Sequence, residues 1–274
     1  MQQVPLVKLN DNNKIPRLGL GTWQLTGRKC IEAVRIAINE IGYRHIDTAE
    51  IYGNHREIAE AISDFKREEL FITSKLWNTD HSYEDVFKAC DRALEELNIE
   101  YLDLYLIHWP NKEVPIKETW KAMEELVKSD KVKSIGISNF TIHHIEDLLE
   151  TAEILPVTNQ VEFHPYLYQR ELQEFCERHN IVITAYSPLA RGKIIGDPIL
   201  KEIGEKYNKT ETQVALRWLV QHNCIVIPKA SSREHLERNY NIFDFELNNE
   251  DMERIDSLNR NERLVMPSFH EFDY

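Results

Sequence analysis

His45-Ile46-Asp47-Thr48-Ala49-Glu50-Ile51-Tyr52-Gly53-Asn54 runs from a short apolar stretch into a polar turn and then a helical pattern. Read as strand, turn and helix, it sets Asp47 and Tyr52 near the strand's C-terminal end. Taken alone, this fits an acid and a phenol satisfied in a βα connection. Two later stretches repeat the plan: Leu70-Phe71-Ile72-Thr73-Ser74-Lys75-Leu76-Trp77 closes on a lysine, and Leu102-Asp103-Leu104-Tyr105-Leu106-Ile107-His108-Trp109 closes on a histidine. Three successive strands thus deliver a polar group at the same end.

Working outward, apolar runs at 17–23, 45–49, 70–76, 102–109, 134–139, 157–163, 182–188 and 224–230 alternate with helical periodicity. Ile31, Val34, Ile38 and Ile41 share one helix face that stops at Gly42, and Trp120, Met123 and Val127 repeat the spacing. Ser82 and Asp85 resemble a capping box opening a helix that lasts through Asn98. The last interval is long enough for two helical pieces, 197–207 and 211–222. Strict βα alternation implies a parallel sheet, and eight units are the number that closes a (β/α)8 TIM barrel. Before it, 4–9 and 14–16 flank Asn10-Asp11-Asn12-Asn13, predicting a short N-terminal β-hairpin that plugs or caps the barrel. An open dinucleotide-binding sheet is the competing architecture. Gly19-Leu20-Gly21 supplies only half of its fingerprint, because Gln24 stands where the third glycine belongs.

With 274 residues and 42% hydrophobic content, residues 1–274 are expected to form one domain. A formal charge of −13 opposes binding to nucleic acid or anionic membrane through overall charge, so an anionic ligand needs a local cationic patch. The N-terminus lacks the plan of a secretory signal and no apolar run is long enough to span a bilayer, giving the expectation of a soluble, cytoplasmic protein, taken to be a monomer. Cys30, Cys90, Cys176 and Cys224 form no Cys-x-x-Cys pair and read as buried free thiols. His143 and His144 are neighbours on a helix and cannot share a face as ligands, His164 reads as structural, and no metal site is expected.

The motifs His45-Ile46-Asp47-Thr48-Ala49, Tyr52-Gly53-Asn54, Thr73-Ser74-Lys75-Leu76-Trp77, Leu106-Ile107-His108-Trp109-Pro110, Gly136-Ile137-Ser138-Asn139-Phe140, Asn159-Gln160-Val161-Glu162, Tyr186-Ser187-Pro188-Leu189 and Ile227-Pro228-Lys229 together resemble the aldo-keto reductases, from about residue 18 to 239. The resemblance implies a barrel enzyme that uses a nicotinamide cofactor, with Asp47, Tyr52, Lys75 and His108 as its catalytic tetrad. It assigns Ser138, Asn139 and Gln160 to the nicotinamide carboxamide, Tyr186 to stacking on the ring, and Ser187 and Leu189, with Gly21, Thr22 and Asp47, to further cofactor contacts.

The chemistry suits these roles. A carbonyl accepting hydride needs a proton donor near its oxygen, and Tyr52 is the candidate. A lysine about 4 Å away attracts phenolate by roughly 4 kcal/mol at an effective dielectric near 20, so Lys75 is expected to lower the Tyr52 pKa while Asp47 keeps Lys75 charged. His108 is expected to donate to the substrate oxygen. Lys75 as a solvated strand-end charge and His108 as a core histidine remain the plainer alternatives.

The stretch after the last strand carries Lys229, Ser231, Ser232, Arg233, His235, Arg238 and Asn239 and opens a helix, a setting suited to a phosphate monoester and hence to NADPH, with NADH also possible. It departs from the family where His235 replaces a frequent arginine and Arg238 replaces a frequent acid, so Lys229 with Arg233 or Arg238 is expected to compensate. Arg191, Gly192, Lys193 and Gly196 make a cationic loop that either folds over the pyrophosphate or is a plain exposed connection. Trp23, Trp77 and Trp109 fall at strand ends and are expected to wall a substrate site shared with Tyr52 and His108. The loop after His108 and the tail after Leu264 are short, which predicts an open pocket for small or varied carbonyl compounds. The leading reading is an NADPH-dependent reductase of aldehydes, 2-oxoaldehydes or ketones. The alternatives are a nucleotide-responsive regulatory or binding subunit and a cofactor-free barrel lyase or isomerase.

Overall fold

The computed structural model describes residues 3–274. A two-stranded hairpin, β1 (Leu6–Lys8) and β2 (Lys14–Pro16), comes first, its tight turn carrying Asn12 at φ +74°. Then β3 (Leu20–Gly21), α1 (Gly27–Arg35), β4 (His45–Asp47), α2 (His55–Ile62), β5 (Phe71–Leu76), α3 (Tyr83–Leu97), β6 (Leu102–Ile107) and α4 (Ile116–Lys128) follow in strict alternation. The pattern continues through β7 (Val132–Ser138), α5 (Ile142–Leu149), β8 (Thr158–Glu162), α6 (Arg170–Arg178), β9 (Val182–Tyr186), α7 (Pro198–Tyr207), α8 (Glu211–Gln221) and β10 (Ile225–Val226). Two helices, α9 (Arg233–Tyr240) and α10 (Asn249–Asp256), complete the chain.

Strands β3 to β10 pair in chain order as one eight-stranded parallel sheet. Its two edges meet: Leu18 bridges Val226, and the amides of Gly19 and Val226 donate across the seam to Val226 O and Arg17 O, each at 2.9 Å. The expected barrel therefore closes. Runs 17–23 and 224–230 shrink to two residues of regular strand each, because the chain bends away toward the site. A Cβ on Gly21 would stand 2.5 Å from Ile227 O, so glycine is what lets the seam strands approach this closely.

The hairpin is the plug. Val7, Leu9 and Ile15 pack with Phe71, Leu104, Leu106, Val157 and Ile225 in a small core inside the barrel floor. Asn10 Nδ2 donates to Pro156 O and Asn180 O, and Asn13 Nδ2 to Lys133 O, so two asparagines tie the cap to strand ends that lie more than a hundred residues away. The larger core lies between sheet and helices, where Tyr105, Ile107, Ile135 and Ile137 face out from their strands.

Helix details depart from expectation in two places. Of the expected face, Val34, Ile38 and Ile41 are buried and Ile31 is half-buried, but the stretch Ile36–Ile41 is π-helical, and Gly42 at φ +110° ends it. Ser82 caps α3 by accepting from Asp85 N, yet it donates to the Asp85 carboxylate at 2.6 Å, so the reciprocal capping-box contact to the Ser82 amide is not made. The pieces predicted at 197–207 and 211–222 are α7 and α8. All four cysteines are free and buried.

Buried histidines make the fold acid-labile. Burial pushes His45 and His81 down to about 4, and His55, His108 and His144 also move down, with burial the largest cause in each. The unfolded chain then takes up protons first as pH falls, so this stabilisation is complete above about pH 6.5 and is lost toward pH 4. His45 and His81 contribute about 3 kcal/mol each at most, at ~1.36 kcal/mol per pKa unit. The urea midpoint is expected to drop steeply between pH 6.5 and 4 with uptake of at least two protons. A midpoint unchanged across that interval would contradict this.

Candidate active site

Side-chain alternation along each strand builds the site. The period of two that turns Leu104 and Leu106 into the barrel carries on to His108, and the one through Phe71 and Thr73 carries on to Lys75. His45 and Thr73, 3.1 Å apart between Nε2 and Oγ1, mark the interior layer beneath Asp47, and Thr158 with Thr184 marks the one beneath Gln160 and Tyr186. Groups from five strands therefore converge on the C-terminal mouth.

Lys75 is fully buried, and its ammonium donates to Asp47 Oδ1 at 2.6 Å and Thr48 O at 2.8 Å. Tyr52 Oη lies 3.4 Å from the same nitrogen, and its ring meets His108 edge-on with centroids 5.8 Å apart. Tyr52 ends a 3-10 turn, Glu50–Tyr52, closed by Gly53 at φ +62°, a conformation glycine adopts without strain. Beneath that turn, buried Asn54 accepts from Thr48 Oγ1 and donates to Thr22 O and Leu25 O. The four expected tetrad residues are thus brought together.

The expected acidification of Tyr52 is reversed. Burial, followed by the Asp47 carboxylate, pushes the phenol well above its ordinary value. With Lys75 already paired to Asp47, burial of the phenol decides. Tyr52 is therefore a neutral hydroxyl throughout the physiological range. Burial lowers Lys75 against the opposing pull of Asp47, and burial with Lys75 holds His108 neutral, its buried Nδ1 unpartnered among the described residues.

A polar shelf continues around the mouth. Gln160 Nε2 donates to Asp47 Oδ2 at 2.7 Å, completing the carboxylate's partners. Ser138 Oγ donates to Gln160 O, Asn139 Nδ2 to His108 O, and Tyr186 Oη to Asn139 Oδ1 at 2.7 Å. Gln160, Ser138 and Asn139 therefore orient one another, Gln160 and Asn139 also lining the opening while Ser138 stays buried behind them. Thr22 is buried, donating to Asp47 O. Gly21, Asp47, Tyr52, His108, Asn139, Gln160, Tyr186, Ser187, Leu189 and Lys229 all line one cavity of about 920 Å³.

Trp23, Trp77 and Trp109 line it too, with Trp77 edge-on to His108 at 5.2 Å. The tail, however, is a wall. Leu264, Val265, Met266, Pro267 and Phe269 line the cavity, and Phe269 lies edge-on to both Trp77 and Trp109 at 5.7 Å. Buried Glu162 anchors this segment by accepting from the amides of Leu264 and Val265. Its carboxyl is low although burial opposes this, because His164 and those amides outweigh burial. Ile51, Ile195 and Phe269 were missed in the sequence, where nothing periodic marks them. Arg191 crosses the opening with its guanidinium 4.8 Å over the Trp23 ring, and Lys193 pairs with Glu262 of the tail, so the loop is more than a plain connection.

At the far end Lys229 is exposed and has no ion pair among the described residues. Ser231 and Ser232 lead into α9, which Ser232 caps by accepting from His235 N, and Arg233, His235, Arg238 and Asn239 lie on that helix. Arg233 is held by Glu40 and Glu237, and Arg238 by Glu234, so both expected helper cations are already paired.

Residues 17–260 match the model of the aldo/keto reductase family. The chain belongs to that family. It is 48% identical to glyoxal reductase of Bacillus subtilis (strain 168), over 94% of both chains. It also resembles, at 35% identity and TM-score 0.92, a Bombyx mori aldo-keto reductase crystallised with NADP, covering 98% of this chain and 97% of that one. An aldo-keto reductase from a Medee basin deep-sea metagenome library superposes with TM-score 0.93 at 42% identity, over 98% of this chain and all of that one.

Among the described residues no cluster of histidines, cysteines and acids could hold a metal ion, and no helix is long and apolar enough to cross a membrane. His164 is buried against Glu162 at 3.0 Å and His144 fills the capping box of α5, so both are structural.

Proposed function

We propose that the protein reduces aldehydes, 2-oxoaldehydes or ketones to alcohols with NADPH, Tyr52 serving as proton donor. The observation that carries this reading is the neutral Tyr52 hydroxyl 3.4 Å from the Lys75 ammonium at the base of an aromatic cavity. When bound, the reduced nicotinamide supplies a hydride to the carbonyl carbon. Tyr52 Oη gives its proton to the oxygen as negative charge builds there, and Lys75 stabilises the phenolate left behind. Asp47 keeps Lys75 charged and aimed, and His108, neutral, offers its N–H to the same oxygen.

The donor set fits the cofactor. Asn139, Ser138 and Gln160 present amide and hydroxyl groups suited to a carboxamide, and the Tyr186 ring is suited to stacking. Arg191 and the Ser187–Leu189 turn face the course a pyrophosphate would take. Lys229, unpaired beside the start of α9, is the group suited to a 2′-phosphate. Arg233 and Arg238 are matched by glutamates, so discrimination rests on Lys229. Lys229→Ala is expected to lower the NADPH/NADH ratio of kcat/KM by about tenfold, near the lower end of what a single charge-assisted contact supplies. An unchanged ratio would remove Lys229 from that role.

Trp23, Ile51, Ile195, Met266 and Phe269 are exposed and all line the cavity, giving its rim an apolar surface. That rim favours carbonyl compounds with apolar substituents. The decisive experiment follows NADPH oxidation with methylglyoxal, straight-chain aldehydes of increasing length and a simple ketone. Turnover, with KM falling as the chain lengthens, is expected. Tight NADPH binding without turnover would make the protein a nucleotide-responsive binding protein instead.

A further inference from the structure

Arg92, on α3 and remote from the cavity lining, joins two of the loops that carry the chemistry. Its Nε and Nη2 donate to Glu50 Oε1 at 3.1 and 2.7 Å, and Nη2 also donates to Asp80 Oδ2 at 2.9 Å. Glu50 opens the 3-10 turn that ends in Tyr52, and Gly53 N closes on Glu50 O at 3.1 Å. Asp80 ends the 3-10 turn Asn78–Asp80 after Lys75 and Trp77, and its amide donates to Trp77 O at 3.0 Å. The lacing reaches the third loop too: Asn78 Nδ2 donates to Pro110 O at 3.3 Å and Asn111 Nδ2 to Asn78 O at 3.0 Å. Loops after the strands bearing Asp47, Lys75 and His108 are thereby tied in series.

Charge explains why one guanidinium matters here. Glu50 Oε2 is buried and unpartnered among the described residues, so Arg92 is the side chain that holds this carboxylate. Burial pushes the Glu50 carboxyl up, Arg92 pulls it back, and Asp80 and Glu96 add repulsion. Without Arg92, Glu50 and Asp80 repel each other across the gap between the two loops. An isolated surface ion pair adds little, but a shared guanidinium that sets two backbone turns acts through geometry. We propose that Arg92 is a positioning residue that sets the distance from Tyr52 to Lys75 by bracketing the Glu50 and Asp80 turns.

This rests on the reductase reading, and the test separates the two. In Arg92→Gln, kcat for aldehyde reduction is expected to fall about tenfold, since sub-ångström to ångström misplacement of reacting groups costs up to ~10² in rate. NADPH Kd should stay within about twofold, because among the described residues Arg92 bonds only Glu50 and Asp80 and touches neither the Asn139, Gln160 and Tyr186 shelf nor Lys229. Adding Glu50→Gln removes the repulsion and should restore about threefold of the lost kcat, a recovery that a purely helix-stabilising arginine would not give. Amide exchange in residues 49–53 and 78–80 should quicken about tenfold in Arg92→Gln whatever the turnover. If Arg92→Gln does not fold, Arg92→Lys, whose single ammonium cannot span both acids, should show the same signature in weaker form. A kcat within twofold of wild type, no rescue by Glu50→Gln, or unchanged exchange in the two turns would overturn the bracket. Wild-type protein that reduces no carbonyl would refute the reductase reading, and the exchange experiment would still decide the bracket.

Discussion

Replacing Tyr52 with phenylalanine is expected to lower kcat for carbonyl reduction by about 10²- to 10⁴-fold, the span a positioned general acid supplies. The change removes one oxygen and little else. The ring keeps its edge contact with His108 and its place 5.0 Å from the Lys75 ammonium, and Lys75 keeps Asp47 and Thr48 O. NADPH binding, measured by fluorescence titration, should shift by no more than about twofold, so the loss lies in the chemical step. Because burial and Asp47 hold the phenol well above its ordinary value, the donor stays protonated, and an alkaline limb in the reduction rate should belong to Lys75, which burial lowers, and not to Tyr52. A Tyr52→Phe enzyme within tenfold of wild-type kcat would take the proton-donor role away from Tyr52.

Lys75→Met is expected to damage both activity and stability. Lys75 is wholly buried, and its removal leaves the Asp47 carboxylate with Gln160 as its remaining side-chain partner. Breaking a buried ion pair from one side costs about 3–5 kcal/mol because an uncompensated charge stays behind. At roughly 2–4 °C per kcal/mol for a chain of this size, Tm should fall by about 10 °C. Asp47→Leu added to Lys75→Met should recover much of that Tm, since two apolar groups replace the pair, yet leave the enzyme inactive. Calorimetry with single-turnover kinetics separates the effects. A Lys75→Met protein with unchanged Tm would mean that the pair contributes no net stability.

The eight-stranded plan was legible because eight short apolar runs alternate with helical periodicity, and the alternation that buries Leu104 and Leu106 also aims His108. The assignment of Asp47, Tyr52, Lys75 and His108 as a tetrad came from the resemblance of their motifs to the aldo-keto reductases. Other features depend on distances that no local pattern encodes. Residues 264–269 lack periodicity, and their place over the mouth follows from Glu162, a hundred residues earlier, accepting their amides. Gln160 was expected to face the carboxamide, and its bond to Asp47 joins β8 to β4 across the barrel. The sign of the Tyr52 shift depends on how deeply the phenol is buried, which no local pattern measures, and burial outweighs the lysine beside it.

The seam between Arg17–Gly21 and Val226–Pro228 bears on how the chain matures. During synthesis from the N-terminus the first strand cannot meet its last neighbour until nearly the whole polypeptide has left the ribosome, so the nascent sheet remains an open ribbon. Such a ribbon exposes backbone donors at both margins and invites pairing with other chains. Here the leading margin, β3, offers only two residues of regular strand, which shortens the sticky border on that side during the wait.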